Sequence, residues 1–296
     1  MTPICQTIAE SYPVRRTKKQ KQSFIQLIQS HIPEMMIQEG GFPRCRNMII
    51  GDIENAKVVL TAHYDTGSFL RFPGLITPKN PMLSILFMLI PAFAAVLLLG
   101  WLLNLVFDSL LLALIVCLGL LILVTTVLAI QCASNDNTTG VIALCELLSV
   151  LTTAERSKAA FVFFDRRGSI MTGSVYFRAK YKKQLADKLL INFDCASAGD
   201  NILVSASKAA RADCAGIIKD CFLPTQNKAI LFAKAENIYY PSDQVGFKKT
   251  VAVAVLKHKR FIGYCMDRTR VWEDTVLDKE NIKLLCESIH RLLMQI

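Results

Sequence analysis

Val58-Val59-Leu60-Thr61-Ala62-His63-Tyr64-Asp65 is the stretch on which the reading of this chain turns. Apolar residues lead into Thr61 and Ala62, the pattern of a parallel strand buried on both faces. The strand delivers His63 and Asp65 at its carboxyl end, with Tyr64 pointing the other way. In open α/β sheets ligands collect at that end. A His followed two residues later by an Asp has two readings. It is an ordinary hydrogen-bonded pair, or it is an imidazole that holds a metal with a carboxylate behind it. The spacing alone leaves both open.

The chain has 296 residues, enough for one large domain or two small ones. Its formal net charge is +10, yet 52% of its residues are hydrophobic, and that excess is concentrated between Pro81 and Ile130. Ten Cys show no paired spacing, which fits a reduced compartment rather than a disulfide framework. The first twenty residues lack the apolar core of a signal peptide. Four His (His31, His63, His258 and His290) are few for a metalloenzyme.

The N-terminal segment carries Arg15, Arg16, Lys18, Lys19 and Lys21 and runs into a helical pattern of Phe24, Ile25, Leu27 and Ile28. Such a run is a solvated helix start or a contact with anionic lipid. No basic stretch interleaved with aromatics supports nucleic-acid binding. Asn47–Ile50 is predicted as a strand, and Thr66–Asn80 as a loop rich in Pro and Gly. Beyond Gly140 strands and helices alternate. Strands are predicted at 160–165, 189–194, 201–204, 229–233 and 251–256, and helices at 140–151, 170–183, through 218 and at 279–294. That alternation predicts an α/β sheet with helices on both faces. His258 falls in a Lys-His-Lys-Arg run predicted as an exposed turn.

Met82–Phe107 and Leu110–Ile130 contain no charged residue and are split only by Asp108-Ser109. As helices they would be about 39 Å and about 31 Å long, each enough to cross a bilayer. The expectation is a two-helix transmembrane hairpin over residues 81–131. The connecting turn lacks Lys and Arg and the flanks are basic, so the main domain is expected on the cytoplasmic side of a multi-pass membrane protein. The N-terminal part of the α/β domain would then be 1–80 and the remainder 132–296.

Three acids at strand ends or in loops accompany His63: Asp65, Asp136 and Asp194. One imidazole with carboxylates suits zinc or a similar divalent ion. At this point the sequence resembles the M28 zinc peptidases, which are aminopeptidase-like and related to the glutaminyl cyclases, and especially their membrane-inserted bacterial members. The matching stretches are NMIIGDIENAKVVLTAHYDT, NDNTTGVIALCELL, FVFFD followed by GSVYF, INFDCASAGDNILV, SDQVGF, and GYCMDR followed by DT.

The resemblance implies a single α/β domain with a mixed, largely parallel twisted sheet flanked by helices. It also implies two zinc ions sharing an aspartate. It puts His63, Asp136 and Asp194 on the ligands of the first zinc, with Asp136 as the bridge, and Asp65 on the catalytic acid that orients the His. A cis peptide after Asp136 is implied as well. Other positions depart from the family pattern. The general base and a ligand of the second zinc fall on Arg167 and Gly168, and the late His ligand falls on Arg270. At most one zinc ion is then expected. Arg cannot take a proton at working pH, and Gly168 offers no ligand atom. Arg167 and Arg270 either replace the missing dication beside the remaining acids or face solvent.

The expected function is that of an M28-like membrane protein with impaired metallopeptidase chemistry, a pseudoenzyme acting as a binding or regulatory scaffold. Its expected partners are the membrane and a peptide or membrane-protein terminus, not nucleic acid. The alternative is an active single-metal aminopeptidase or cyclase-like hydrolase using His63, Asp136 and Asp194.

Overall fold

The computed structural model describes residues 1–66, 76–104, 111, 115–119, 137–168, 171–196, 199–266 and 277–296. Two helices open the chain, α1 (Pro3–Ser11) and α2 (Lys18–His31). Three strands follow: β1 (Met36–Gly40), β2 (Cys45–Ile50) and β3 (Val58–His63). Then come α3 (Pro81–Asn104), α4 (Thr138–Val150) and the single turn α5 (Thr153–Arg156). Beyond them lie β4 (Ala159–Phe164), α6 (Thr172–Lys180), β5 (Leu189–Phe193), β6 (Asn201–Ala206) and α7 (Lys208–Cys221). The chain closes with β7 (Ala229–Lys234), β8 (Thr250–Lys259), β9 (Gly263–Cys265) and α8 (Lys279–Gln295).

The described strands form one mixed sheet in the order β1-β2-β4-β3-β5-β8-β6-β7, with β9 paired to β8. At its centre β4, β3, β5 and β8 run parallel, with His63 opposite Phe164 and Thr61 opposite Asn192. The outer β1, β2 and β6 pair antiparallel to their inner neighbours. Because β3, β4 and β5 share one direction, their carboxyl ends bring His63, Asp165 and Asp194 to one edge.

Every residue of β3, β4 and β5 is buried, as expected of strands covered on both faces. Alternate side chains divide between two cores. Val58, Leu60, Ala62, Phe161, Phe163, Ile191 and Phe193 pack with Phe24 and Ile28 of α2, Ile142 and Leu144 of α4 and Leu285 and Ile289 of α8. Val59, Ala160, Val162, Phe164 and Leu190 pack with Phe177 of α6. α2 begins with a capping box in which Thr17 and Gln20 satisfy each other's backbone N–H groups.

Two glycines let helices approach the strand ends. A Cβ on Gly140 would lie 2.2 Å from Asn137 Oδ1 and 2.9 Å from the Phe193 carbonyl. On Gly173 it would lie 2.3 Å from the Asp165 carbonyl. The first turns of α4 and α6 therefore rest directly on the ends of β5 and β4.

The expected transmembrane hairpin over 81–131 is corrected. Among the described residues no helix is long and apolar enough to cross a membrane. The reason is continuity: a span needs about 20 consecutive apolar residues. The described helices do not supply one. The multi-pass placement with a cytoplasmic main domain rested on that hairpin and is withdrawn with it. Gly100 and Cys117 do lie near each other, since a Cβ on Gly100 would sit 3.6 Å from Sγ of the buried Cys117.

The basic run also differs from its expected reading. Arg15 is wholly buried. It donates to the carbonyls of Tyr12 and, at 2.6 Å, Tyr64, and at 3.1 Å to Thr138 Oγ1. Burial lowers the pKa of its guanidinium to about 10, still charged at neutral pH. Lys21 turns inward too. Two of the five cations thus serve the interior, while Arg16, Lys18 and Lys19 are exposed.

Candidate active site

The parallel register of β3 and β5 puts His63 and Asp194 side by side. His63 Nε2 lies 3.2 Å from Asp194 Oδ1, and both residues are buried. The other ring nitrogen, Nδ1, is 3.1 Å from the main-chain oxygen of Asp65 and 3.7 Å from its carboxylate. The ring is thus held on the Asp65 side by a carbonyl as well as by charge. Burial disfavours a charged imidazole, but the hydrogen bonds to Asp194 and Asp65 outweigh it and raise its pKa to about 10. His63 is therefore an imidazolium at neutral pH, donating from both nitrogens.

Asp194 collects further donors. Arg167 Nη2 lies 2.8 Å from Oδ2, the Ser242 hydroxyl donates to the same oxygen, and Cys195 Sγ is 3.6 Å from Oδ1. Burial pushes the Asp194 carboxyl up, but Arg167 and His63 more than reverse this and hold it far below the usual carboxylate range. Arg167 stands in the turn after β4, between two residues of positive φ, Arg166 at 56° and Met171 at 54°. Left-handed backbone at non-glycine residues is uncommon and costly, and here it turns the chain back over the strand end. Gly168 is exposed.

A second ion-pair group lies behind the first. The Lys21 ammonium, reaching in from α2, pairs with Asp165 Oδ1 and lies 3.8 Å from Asp65 Oδ2. Asp65 Oδ1 also accepts the main-chain N–H of Arg167 at 3.2 Å. Burial raises Asp65, but His63 and Lys21 bring its pKa down to about 2. Asp165 is raised by burial, against the pull of Lys21. Three cations, His63, Arg167 and Lys21, thus face three carboxylates, Asp65, Asp165 and Asp194.

Asn137 ties the site together from the start of α4. Its amide donates to the Phe193 carbonyl at 2.8 Å and to the His63 carbonyl at 3.4 Å, joining the ends of β5 and β3. Asp243, in the loop between β7 and β8, is fully buried, and neither of its carboxylate oxygens has a hydrogen-bond partner among the described residues. It lies within electrostatic reach of His63, Arg167 and Asp194, and burial pushes its pKa up to about 6.

Of the residues singled out in the sequence, His63, Asp65, Asp194 and Arg167 meet here. Asp136, its peptide bond to Asn137 and Arg270 lie outside the described residues. His258 is not at the site: it is an exposed residue of strand β8 whose ring meets Tyr264 edge-on, rather than part of a turn. Lys21, Asp165, Asn137, Ser242 and Asp243 were not picked out from the sequence. Asp165 and the Ser-Asp pair stand inside motifs that carry the resemblance, and this was their only signal. Lys21 was hidden in a run that reads as surface.

The described residues do not fit a zinc centre. Both oxygens of Asp194 are already engaged by donors, and a guanidinium sits against one of them. Among the described residues no group of three or more His, Cys, Asp or Glu could hold an ion.

The comparisons with known proteins agree on the fold. The Zn-dependent exopeptidase from Parabacteroides distasonis superposes with a TM-score of 0.60 at 13% identity, over 98% of this chain and 94% of that one. Porphyromonas gingivalis glutaminyl cyclase gives 0.61 at 14%, over 99% and 96%. The Legionella pneumophila LapA aminopeptidase gives 0.54 at 12%, over 99% of this chain and 68% of its own. At these identities the likeness is one of fold: a mixed α/β domain of zinc-peptidase type. No curated protein matches the sequence. The model of peptidase family M28 matches residues 123–286, more than half of the chain and including Asp194, Arg167 and Asp243. The chain belongs to peptidase family M28.

Proposed function

We propose that this M28 protein is catalytically impaired and acts as a binding scaffold for a peptide-like ligand at the carboxyl end of its sheet. The observation that carries the reading is the 2.8 Å contact between Arg167 Nη2 and Asp194 Oδ2, with Asp194 wholly buried. A metal hydrolase needs its ion to generate hydroxide and hold an oxyanion. A guanidinium balances carboxylate charge bidentately but activates no water and takes no proton near neutral pH. By the resemblance, Arg167 also stands where the general base would be. The same residue thus removes the base and neutralises a ligand.

The test is metal analysis of the purified full chain with an aminopeptidase assay on the same sample. The expected result is substoichiometric zinc and no release of N-terminal residues. Zinc-dependent release that disappears in His63→Ala overturns the reading.

A further inference from the structure

Strand β8 outruns the sheet. Residues 250–256 pair with β5 or β6, whereas among the described strands residues 257–259 pair only with β9. The β8–β9 turn therefore stands beyond the sheet. Because β8 runs parallel to β5, the turn projects from the edge that carries His63 and Asp194. Its backbone is set: the Ile262 N–H donates to the Lys259 carbonyl at 3.2 Å, and Gly263 takes the left-handed φ of 77° that closes the turn.

Two kinds of side chain meet at this turn. Residues 244–266 hold five Lys or Arg and no Asp or Glu. Lys248 and Lys249 pair with Asp187 and Asp213 at the start of β8. Lys257, Lys259 and Arg260 stand at its other end, with His258 among them. At the tip Phe261 is 92% exposed.

Phe261 is not an isolated apolar residue. The Met266 N–H donates to the Ile76 carbonyl at 2.8 Å, and the Lys79 ammonium lies 4.6 Å from the centre of the Tyr264 ring. These contacts hold residues 76–80, and with them the start of α3, beside β9. There Met82 is 79% exposed, and Ile85 and Leu86 are half-exposed. Exposed apolar residues that cluster and are rimmed by charge mark an interaction surface. The rim, Lys79, Lys257, Lys259 and Arg260, is of one sign, so the partner it complements is anionic. The apolar residues require that the partner also take up hydrocarbon. A nucleic acid offers phosphates but nothing for Met82 and Leu86. An anionic bilayer offers both, with aromatic rings favoured at headgroup level.

We propose that the β8–β9 turn and the start of α3 form a docking surface for an anionic phospholipid bilayer. Phe261 enters the headgroup boundary, and the basic residues meet the lipid phosphates. The contact is made on the bilayer surface, and no segment crosses. It does not depend on the scaffold reading above, and it turns the edge bearing the candidate site towards the lipid.

The test is co-sedimentation of the full chain with phosphatidylcholine vesicles, with and without phosphatidylserine. Binding should require phosphatidylserine and weaken as salt is raised. One basic residue near such a surface is worth about fivefold in binding, so Lys257→Gln combined with Arg260→Gln should weaken it about thirtyfold. Phe261→Ser should weaken it about tenfold, the low end for withdrawing a large apolar side chain from hydrocarbon. Both variants change side chains at the rim of the fold, so their melting temperatures should match wild type. Equal binding to the two vesicle types overturns the proposal, as does binding that either variant leaves unchanged. So does a single-stranded oligonucleotide that binds through Lys257 and Arg260 while the vesicles do not.

Discussion

Arg167 and His63 hold the same carboxylate from opposite sides, Nη2 at 2.8 Å from Asp194 Oδ2 and Nε2 at 3.2 Å from Oδ1. By the resemblance, Arg167 stands where the family carries its general base. Replacing it with Met leaves the fully buried Asp194 short of its strongest counter-charge, a loss typically worth about 3 to 5 kcal/mol. Arg167→Met should lower the unfolding free energy, measured in urea, by that amount. The combined change Arg167→Glu, Gly168→Glu and Arg270→His should instead raise zinc content, read by mass spectrometry of the purified protein. A melt of Arg167→Met that overlays wild type would show that the pair contributes nothing.

The charge on His63 makes stability fall in alkali. Its folded pKa is raised to about 10 from an ordinary value of 6.5. The folded state therefore holds a proton that the unfolded chain has released. The stabilisation is complete below about pH 6.5 and is lost as pH rises towards about 10, in total several kcal/mol. Urea unfolding from pH 6 to pH 10 should show this slope in wild type and a flatter one in His63→Gln.

Asp243 also makes stability fall as pH rises, but as a cost of its charged form and at lower pH. Burial lifts its pKa from 3.8 to about 6, so the folded state binds more protons than the unfolded chain between those values. Its carboxylate costs nothing below about pH 4 and about 2 to 3 kcal/mol above about pH 6. Asp243→Asn should raise the melting temperature at pH 7, and the gain should vanish at pH 4.

Lys21 separates two buried carboxylates, and its own side chain is only 13% exposed. Lys21→Met should destabilise by about 2 to 4 kcal/mol, because Asp65 and Asp165 then face each other without a cation. Asp165→Asn in the same chain should return part of the loss, and a double-mutant cycle by chemical denaturation measures the coupling.

Gly140 tests how tightly α4 sits on the strand ends. The Cβ of Gly140→Ala would collide with Asn137 Oδ1 and with the main chain at Phe193. Overpacking of this kind costs about 1 to 3 kcal/mol, seen as a lower thermal midpoint. Asn137, which bridges β3 and β5, would have to shift with it.

Several elements were legible because their signals are local. VVLTAH, AAFVFF and LLINF are apolar runs that only a doubly covered strand tolerates, and they are β3, β4 and β5. Helix α8 was legible for the same kind of reason, from its apolar spacing over 279–294. α1 and β1 were not predicted. α1 buries only Ile4, Cys5 and Ile8, and β1 is an edge strand burying only Gln38. Elements with so little apolar face carry little periodic signal.

What the sequence determined by itself was the α/β class and the family, because residue identity and order carry those facts directly. Which charges meet was decided by the tertiary structure. Arg167 pairing with Asp194 and Lys21 turning in to Asp165 depend on side chains 27 and 144 residues apart being brought together. The physical reason is range. An apolar pattern is written along a few turns of chain, whereas an ion pair needs its atoms within about 4 Å, and only the packed sheet and its helices fix distances on that scale.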